Sequence, residues 1–301
     1  MSVALDLPQV SVEQIEIHAE DLDPARAAKI YAEYGALVVR GLMKPYVAKL
    51  REEIEACAQE SIALLGEAKK ITEGWTTPNG TLFLPAPAHF KRPQQIMVLG
   101  FNYYTSATFF RSAFDPKTVD LARAVLGENV ELFINGQCLY KEPVGGHPKH
   151  LHQDAAYFEH RYEGPLAMLG YVVDTNLENG ALHVVPGSHK LGVLKHVDTF
   201  SHLGLEHEEW PWERALPICG KAGDAIFFHV KTIHGSKENH STSARPVFIH
   251  RYRAADDYVV VSATTTESRA AAEKKKDAVK KENQRGLMVC GTRSYDAGRM
   301  A

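Results

Sequence analysis

The chain has 301 residues, 45% of them apolar, with 34 basic against 37 acidic side chains and a formal charge of −3. Those values suit a soluble fold with a sizeable core. The near balance of charge argues against a nucleic-acid or anionic-membrane partner, and no apolar run approaches membrane-spanning length. Residues 1–10 lack a basic segment followed by an apolar stretch, so no signal peptide and a cytoplasmic location are expected. Cys57, Cys138, Cys219 and Cys290 are widely spaced and form no CxxC pair, which reads as free thiols.

Asp23-Pro24 is a helix start, with Asp as N-cap and Pro in the first turn, and residues 25–34 continue it. Residues 35–41 read as a short buried strand between two glycines. Residues 47–65 form an amphipathic helix with Leu50, Ile54, Cys57 and Ile62 near helical spacing. Residues 72–110 show no period and are rich in Pro, Gly and aromatics. Such a segment suits a substrate-lining lid carrying Trp75, Tyr103 and Tyr104; plain core packing is the competing reading. Residues 119–126 form a third helix, closed by Gly127.

From about residue 130 short β-rich runs (130–133, 167–173, 181–185, 224–228 and 246–252) alternate with turns such as Asn179-Gly180 and Pro186-Gly187. That rhythm predicts a β-sandwich or barrel. The charged segment 266–285 reads as a solvated helix.

The chain holds fifteen histidines, so about one His-x-Asp match is expected by chance. Two occur, His152-Gln153-Asp154 and His196-Val197-Asp198. On a strand end, residues i and i+2 aim an imidazole and a carboxylate at one point. A third ligand must come from elsewhere, and two His with one carboxylate leave open positions suited to oxygen chemistry at Fe(II). Between His152 and His234 there is room for several barrel strands, whereas His196 lies much closer to His234 and follows an exposed loop. The first motif is therefore favoured. Arg245, eleven positions beyond His234, opens an apolar strand and offers a planar fork for a carboxylate. Ser236 shares a face with His234 if that segment is extended.

The blocks His152-Gln-Asp-Ala-Ala-Tyr-Phe158, Glu178-Asn-Gly-Ala-Leu-His-Val-Val-Pro-Gly-Ser-His189 and Gly223-Asp224 through His234-Gly-Ser236, with Asn239 and Arg245-Pro246, resemble the phytanoyl-CoA dioxygenase family. The resemblance implies a mainly β fold with helices, a double-stranded β-helix (jelly-roll) core with N-terminal helices packed on the sheet. It implies one domain over 1–301, with a helical part at 1–129, the jelly roll at about 130–262 and a C-terminal helix and tail at 263–301. It further implies Fe(II) on His152, Asp154 and His234, with 2-oxoglutarate and O2 as co-substrates. The distal carboxylate of 2-oxoglutarate would lie on Arg245 and Ser236. Gln153 and Tyr171 match pocket positions of the family, and Gln137 and Lys141 are further candidates. The implied reaction oxidises a C–H bond of a small organic substrate and releases succinate and CO2. A non-enzymatic or isomerase-type metal-binding jelly roll is the alternative, and a homodimer is left open.

Overall fold

The computed structural model describes residues 7–72, 74–200, 202–279 and 284–293. Its first strand is β1 (Glu16–His18), followed by helix α1 (Pro24–Tyr34). The Asp23 side chain caps this helix, accepting the N–H groups of Ala25 at 2.9 Å and Arg26 at 3.4 Å. Gly35 ends it in the left-handed conformation at φ 67°. Asp23→Ala should cost about 1 kcal/mol, seen as a lower urea midpoint at unchanged slope.

Strand β2 (Ala36–Arg40) is the buried run the glycines bracket, and α2 (Lys44–Ala63) follows, burying Leu50, Ile54 and Ala58. Residues 72–110 are irregular only in part: turns and loops there separate three short antiparallel strands, β4 (Gly74–Thr76), β5 (Leu82–Pro85) and β6 (Gln94–Leu99), which continue from β3 (Lys69–Ile71) just before them. Pieces of three to six residues, interrupted by Pro85, Pro87 and Pro93, are too short for a period to show. The region before residue 130 is thus mixed, with two further helices, α3 (Ala107–Ser112) and α4 (Pro116–Leu126).

The second half is strand-rich. In order come β7 (Val130–Leu132), β8 (Gln137–Lys141), β9 (Lys149–His152), β10 (Phe158–His160) and β11 (Leu166–Tyr171). They are followed by β12 (Leu182–Val184), β13 (Val197–Asp198), β14 (Leu203–Gly204), β15 (Leu216–Ile218) and β16 (Ala225–His229). Then come β17 (His234–Ser236), β18 (Arg245–Ala254) and β19 (Val259–Ser262). The C-terminal helix α5 (Thr266–Glu273) is shorter than expected. Beyond it β20 (Leu287–Cys290) pairs with β7, while residues 280–283 and the tail 294–301 lie outside the described residues.

The large sheet runs β1-β2-β16-β11-β18-β8-β6-β5-β4-β3, with β7 and β20 attached beside β18. The small sheet runs β15-β12-β17-β9. Strand alternation divides the core. Val247 and Ile249 of β18 cluster with Leu182, Val184 and Ile218 of the small sheet. Phe248 and Tyr252 cluster instead with Leu50, Ile54 and Leu121 of the helices. Helices, large sheet and small sheet therefore form three layers, and the two facing sheets together make the jelly roll. Gly170 of β11 has a steric reason: a Cβ there would lie 2.2 Å from the Phe248 ring. No helix among the described residues is long and apolar enough to cross a membrane.

Candidate metal centre and co-substrate pocket

Strands β9 and β17 pair antiparallel with His152 directly opposite His234. Side chains at such positions stand within reach of one another, and the two imidazole centroids are 4.3 Å apart. His152 Nδ1 lies 2.7 Å from the His150 carbonyl and His234 Nδ1 lies 2.9 Å from that of Thr232. A carbonyl only accepts, so each Nδ1 carries the proton and each Nε2 presents a lone pair. Burial, and then the neighbouring His152, push the His234 pKa down to about 3, which keeps the ring neutral as a ligand must be.

Asp154 opens the single turn after β9 and sets Oδ1 3.7 Å from both Nε2 atoms. One ligand atom from each residue lies within 4.8 Å of the others. The donor set fits Fe(II): two neutral imidazoles and one carboxylate converge. Burial alone would raise the Asp154 carboxyl, but the Arg251 guanidinium outweighs it and holds the group well below the usual carboxylate range. Arg251 donates to Asp154 Oδ2 from Nε at 3.3 Å and Nη2 at 3.1 Å, leaving Oδ1 to the ligand cluster.

The second motif joins no such cluster. His196 Nε2 accepts the backbone N–H of Gln153 at 3.0 Å, and Asp198 accepts that of Thr266 at 2.9 Å. They fasten two different loops.

The triad opens on a cavity of about 270 Å³ between the sheets, walled by Leu169, Leu182, Phe228, Val247 and Ile249. Arg245 lines it and is buried. Its Nη2 donates to the Gly180 carbonyl, while its buried Nε has no hydrogen-bond partner among the described residues. Burial lowers its pKa to about 10, so it stays charged near neutrality. A buried guanidinium without a carboxylate is costly, and an arriving carboxylate removes that cost. Ser236 lines the cavity too, as does Gln137, whose Oε1 accepts from Arg251 Nη1 at 3.4 Å. Lys141 stands behind them, facing a smaller void beside Arg245 and Ser236 and donating to the His147 carbonyl.

Five expected pocket residues are placed elsewhere. Tyr171 is fully buried, and its hydroxyl is spent on the Ile218 carbonyl at 2.7 Å and the Leu182 N–H at 3.1 Å. Gln153 points to the opposite side from its neighbours, donating to the Gly192 and Lys231 carbonyls and accepting from Leu194 N–H. Trp75 packs against the helical core cluster. Tyr103 bonds His250 Nδ1 at 2.9 Å in the helix-side layer. Tyr104 is 84% exposed. None of the five lines the cavity. Arg251, Tyr157, Phe158, Met97 and Ile134 do, and sequence reading missed them. For Arg251 a signal was present: it is six positions after Arg245, hence on the same face of β18.

The profile of the family described as Phytanoyl-CoA dioxygenase (PhyH) matches residues 31–247. This chain belongs to the phytanoyl-CoA dioxygenase family. Among relatives, a probable alpha-ketoglutarate-dependent hypophosphite dioxygenase of Stutzerimonas stutzeri is 38% identical over 149 residues, covering 46% of this chain and 51% of that protein. The human peroxisomal phytanoyl-CoA dioxygenase is 25% identical over 243 residues, covering 76% and 68%. The chain spans about half the length of the first of these relatives. Among solved structures, the alpha-ketoglutarate-dependent carbocyclase SnoK superposes with a TM-score of 0.59 at 18% identity, covering 86% of this chain and 93% of SnoK. The epimerase SnoN, in complex with Fe3+ and alpha-ketoglutarate, gives 0.57 at 23%, covering 89% and 97%. These superpositions show that the chain shares the fold of those structures.

Proposed function

We propose that this protein is an Fe(II)- and 2-oxoglutarate-dependent oxygenase acting on a small organic molecule. The observation that carries the reading is one cavity holding both a His152–Asp154–His234 ligand set and a buried Arg245 with an unmet donor. Family membership supports it. His152, Asp154 and His234 would hold the metal. When bound, the metal supplies oxygen activation coupled to decarboxylation of 2-oxoglutarate to succinate.

The protein's own residues do the rest. Arg245 grips the distal carboxylate with a fork that also fixes its direction, and Ser236 adds a hydroxyl. The apolar wall of Leu169, Phe228, Val247 and Ile249 excludes water, which strengthens every charge interaction inside. The non-enzymatic and isomerase-type readings leave the Arg245 donor without a purpose.

Size narrows the substrate. The cavity falls below the roughly 300–1,000 Å³ of pockets that bury drug-sized ligands, and 2-oxoglutarate takes part of it. A small molecule fits the remainder better than a whole acyl-CoA. The hypophosphite named for the bacterial relative is of that scale. The test is succinate release by purified protein supplied with Fe(II), 2-oxoglutarate and O2. Succinate formed above a metal-free control is expected. Its absence, together with no 2-oxoglutarate binding by calorimetry, would overturn the reading.

A further inference from the structure

The cavity is lined by three cationic side chains, Lys149, Arg245 and Arg251, and by a single carboxylate, Asp154. Arg245 and Arg251 are nearly inaccessible to solvent, while Lys149 is partly exposed. On the reading above, the charge of a ferrous ion and that of doubly ionised 2-oxoglutarate cancel. The buried lining's own surplus of one positive charge, Arg245 and Arg251 against Asp154, therefore persists after both are bound.

That surplus centres on Arg251. Its neighbour Asp154 must share one negative charge between a metal and a guanidinium. Arg251 has five N–H groups, and the described hydrogen bonds use three of them: two to Asp154 and one, at 3.4 Å, to Gln137. Its guanidinium carbon also lies 5.4 Å from the Phe158 ring centroid, and Phe158 itself lines the cavity. An uncompensated cation in a desolvated space is costly, and a neutral substrate would close the cavity over it uncompensated.

We propose that the substrate of this enzyme carries a compact oxyanion, a carboxylate or a phosphonate-type group, bound by Arg251 at the end of the cavity away from Arg245. This rests on the oxygenase reading, because it assumes that Arg245 is taken by 2-oxoglutarate. Arg251 then acts on two fronts. It steadies Asp154 through Oδ2, and its remaining N–H groups and the Gln137 amide receive the oxyanion. The apolar lining by Met97, Ile134 and Leu139 leaves room for a short carbon skeleton.

The test uses the full chain saturated with Fe(II) and 2-oxoglutarate under anaerobic conditions, so that nothing turns over. Acetate, methylphosphonate and the neutral acetamide are titrated in by calorimetry. Acetate or methylphosphonate should bind at one further site per chain, at least about tenfold more tightly than acetamide. Which of the two binds better tells a planar from a tetrahedral oxyanion. Arg251→Gln should weaken the preferred anion by about thirtyfold, and Arg251→Lys should regain part of that. Metal and 2-oxoglutarate affinities are measured on each variant. An Arg251 that only steadies Asp154 would change metal affinity and leave the anion-to-acetamide ratio untouched, which overturns the proposal. So does a wild-type complex that holds 2-oxoglutarate but binds neither anion more tightly than acetamide, whatever the variants do. Loss of 2-oxoglutarate binding by the wild type would instead sink the oxygenase reading itself.

Discussion

Asp154→Ala and His234→Ala should each abolish product formation and weaken Fe(II) binding by more than about a hundredfold. Loss of a residue that only hydrogen-bonds to a metal ligand already costs about 10–100-fold, and on the proposed reading these residues would supply ligand atoms themselves. Asp154→Ala should be the worse folded of the two. It leaves Arg251 buried beside two imidazoles with its carboxylate gone, and an uncompensated buried charge typically costs 3–5 kcal/mol. Asp154→Asn keeps the shape and one acceptor, so it should regain stability without regaining metal. His196→Ala gives the contrast. It removes the acceptor for the Gln153 N–H, so some stability is lost, yet one Fe(II) per chain should still bind. A metal titration followed by thermal melting on each variant decides. A His196→Ala protein that cannot hold iron, beside a His152→Ala protein that can, would show that the other His-x-Asp motif is the true one.

Arg245→Ala should weaken 2-oxoglutarate by roughly thirtyfold or more while leaving Fe(II) affinity nearly unchanged. Removing one side of a desolvated, hydrogen-bonded charge pair costs about 2–5 kcal/mol, and each 1.4 kcal/mol is a factor of ten. Burial of the guanidinium and its unmet Nε place it at the strong end of that range. Arg245→Lys keeps the charge without the fork and should recover only part of the loss. The free protein should respond in the opposite sense. Arg245→Ala relieves a buried cation that forms no ion pair with any described residue, so the apo variant should lose less stability than a typical buried truncation. Calorimetric titration with 2-oxoglutarate and urea melts of the apo proteins test both halves. An unchanged 2-oxoglutarate affinity would detach Arg245 from the co-substrate.

The residues that converge on the cavity were legible because their chemistry is rare in combination: His-x-Asp, a distant His-Gly-Ser and an Arg opening an apolar strand. Their convergence was not legible from spacing. It depends on the pairing of β9 with β17, which only the family resemblance anticipated. Trp75, Tyr103 and Tyr104 were misplaced for a physical reason. Aromatic richness marks apolar surface to be buried but does not say against what. Here Trp75 lies on an outlying strand and Tyr103 pairs with His250 on the helix side. Gln153 and Tyr171 were expected in the pocket by position in the family pattern, yet their polar atoms are committed to backbone groups. Arg251 escaped notice because it reads as one more polar residue late in an apolar strand. Counting by twos from Arg245 would have found it. The shared face also explains why Phe248, His250 and Tyr252, the alternate residues of the strand, belong to the other layer.

Strand β18 is hydrogen-bonded along both edges, to β11 on one side and to β8 and β7 on the other. It cannot slide, so it works as a measuring rod. Arg245 and Arg251 are pegs six residues apart on it, roughly 20 Å at about 3.3 Å per residue. That span separates the backbone positions from which the two guanidiniums reach the cavity. A longer occupant at one peg shortens the room at the other, so the chain has a fixed total length to divide between its two guests. Inserting one residue between the pegs would turn Arg251 toward the helices and empty the far end of its charge. Inserting two would keep both pegs facing inward but carry Arg251 about 7 Å along the strand, away from its 3.1 Å contact with Asp154 Oδ2.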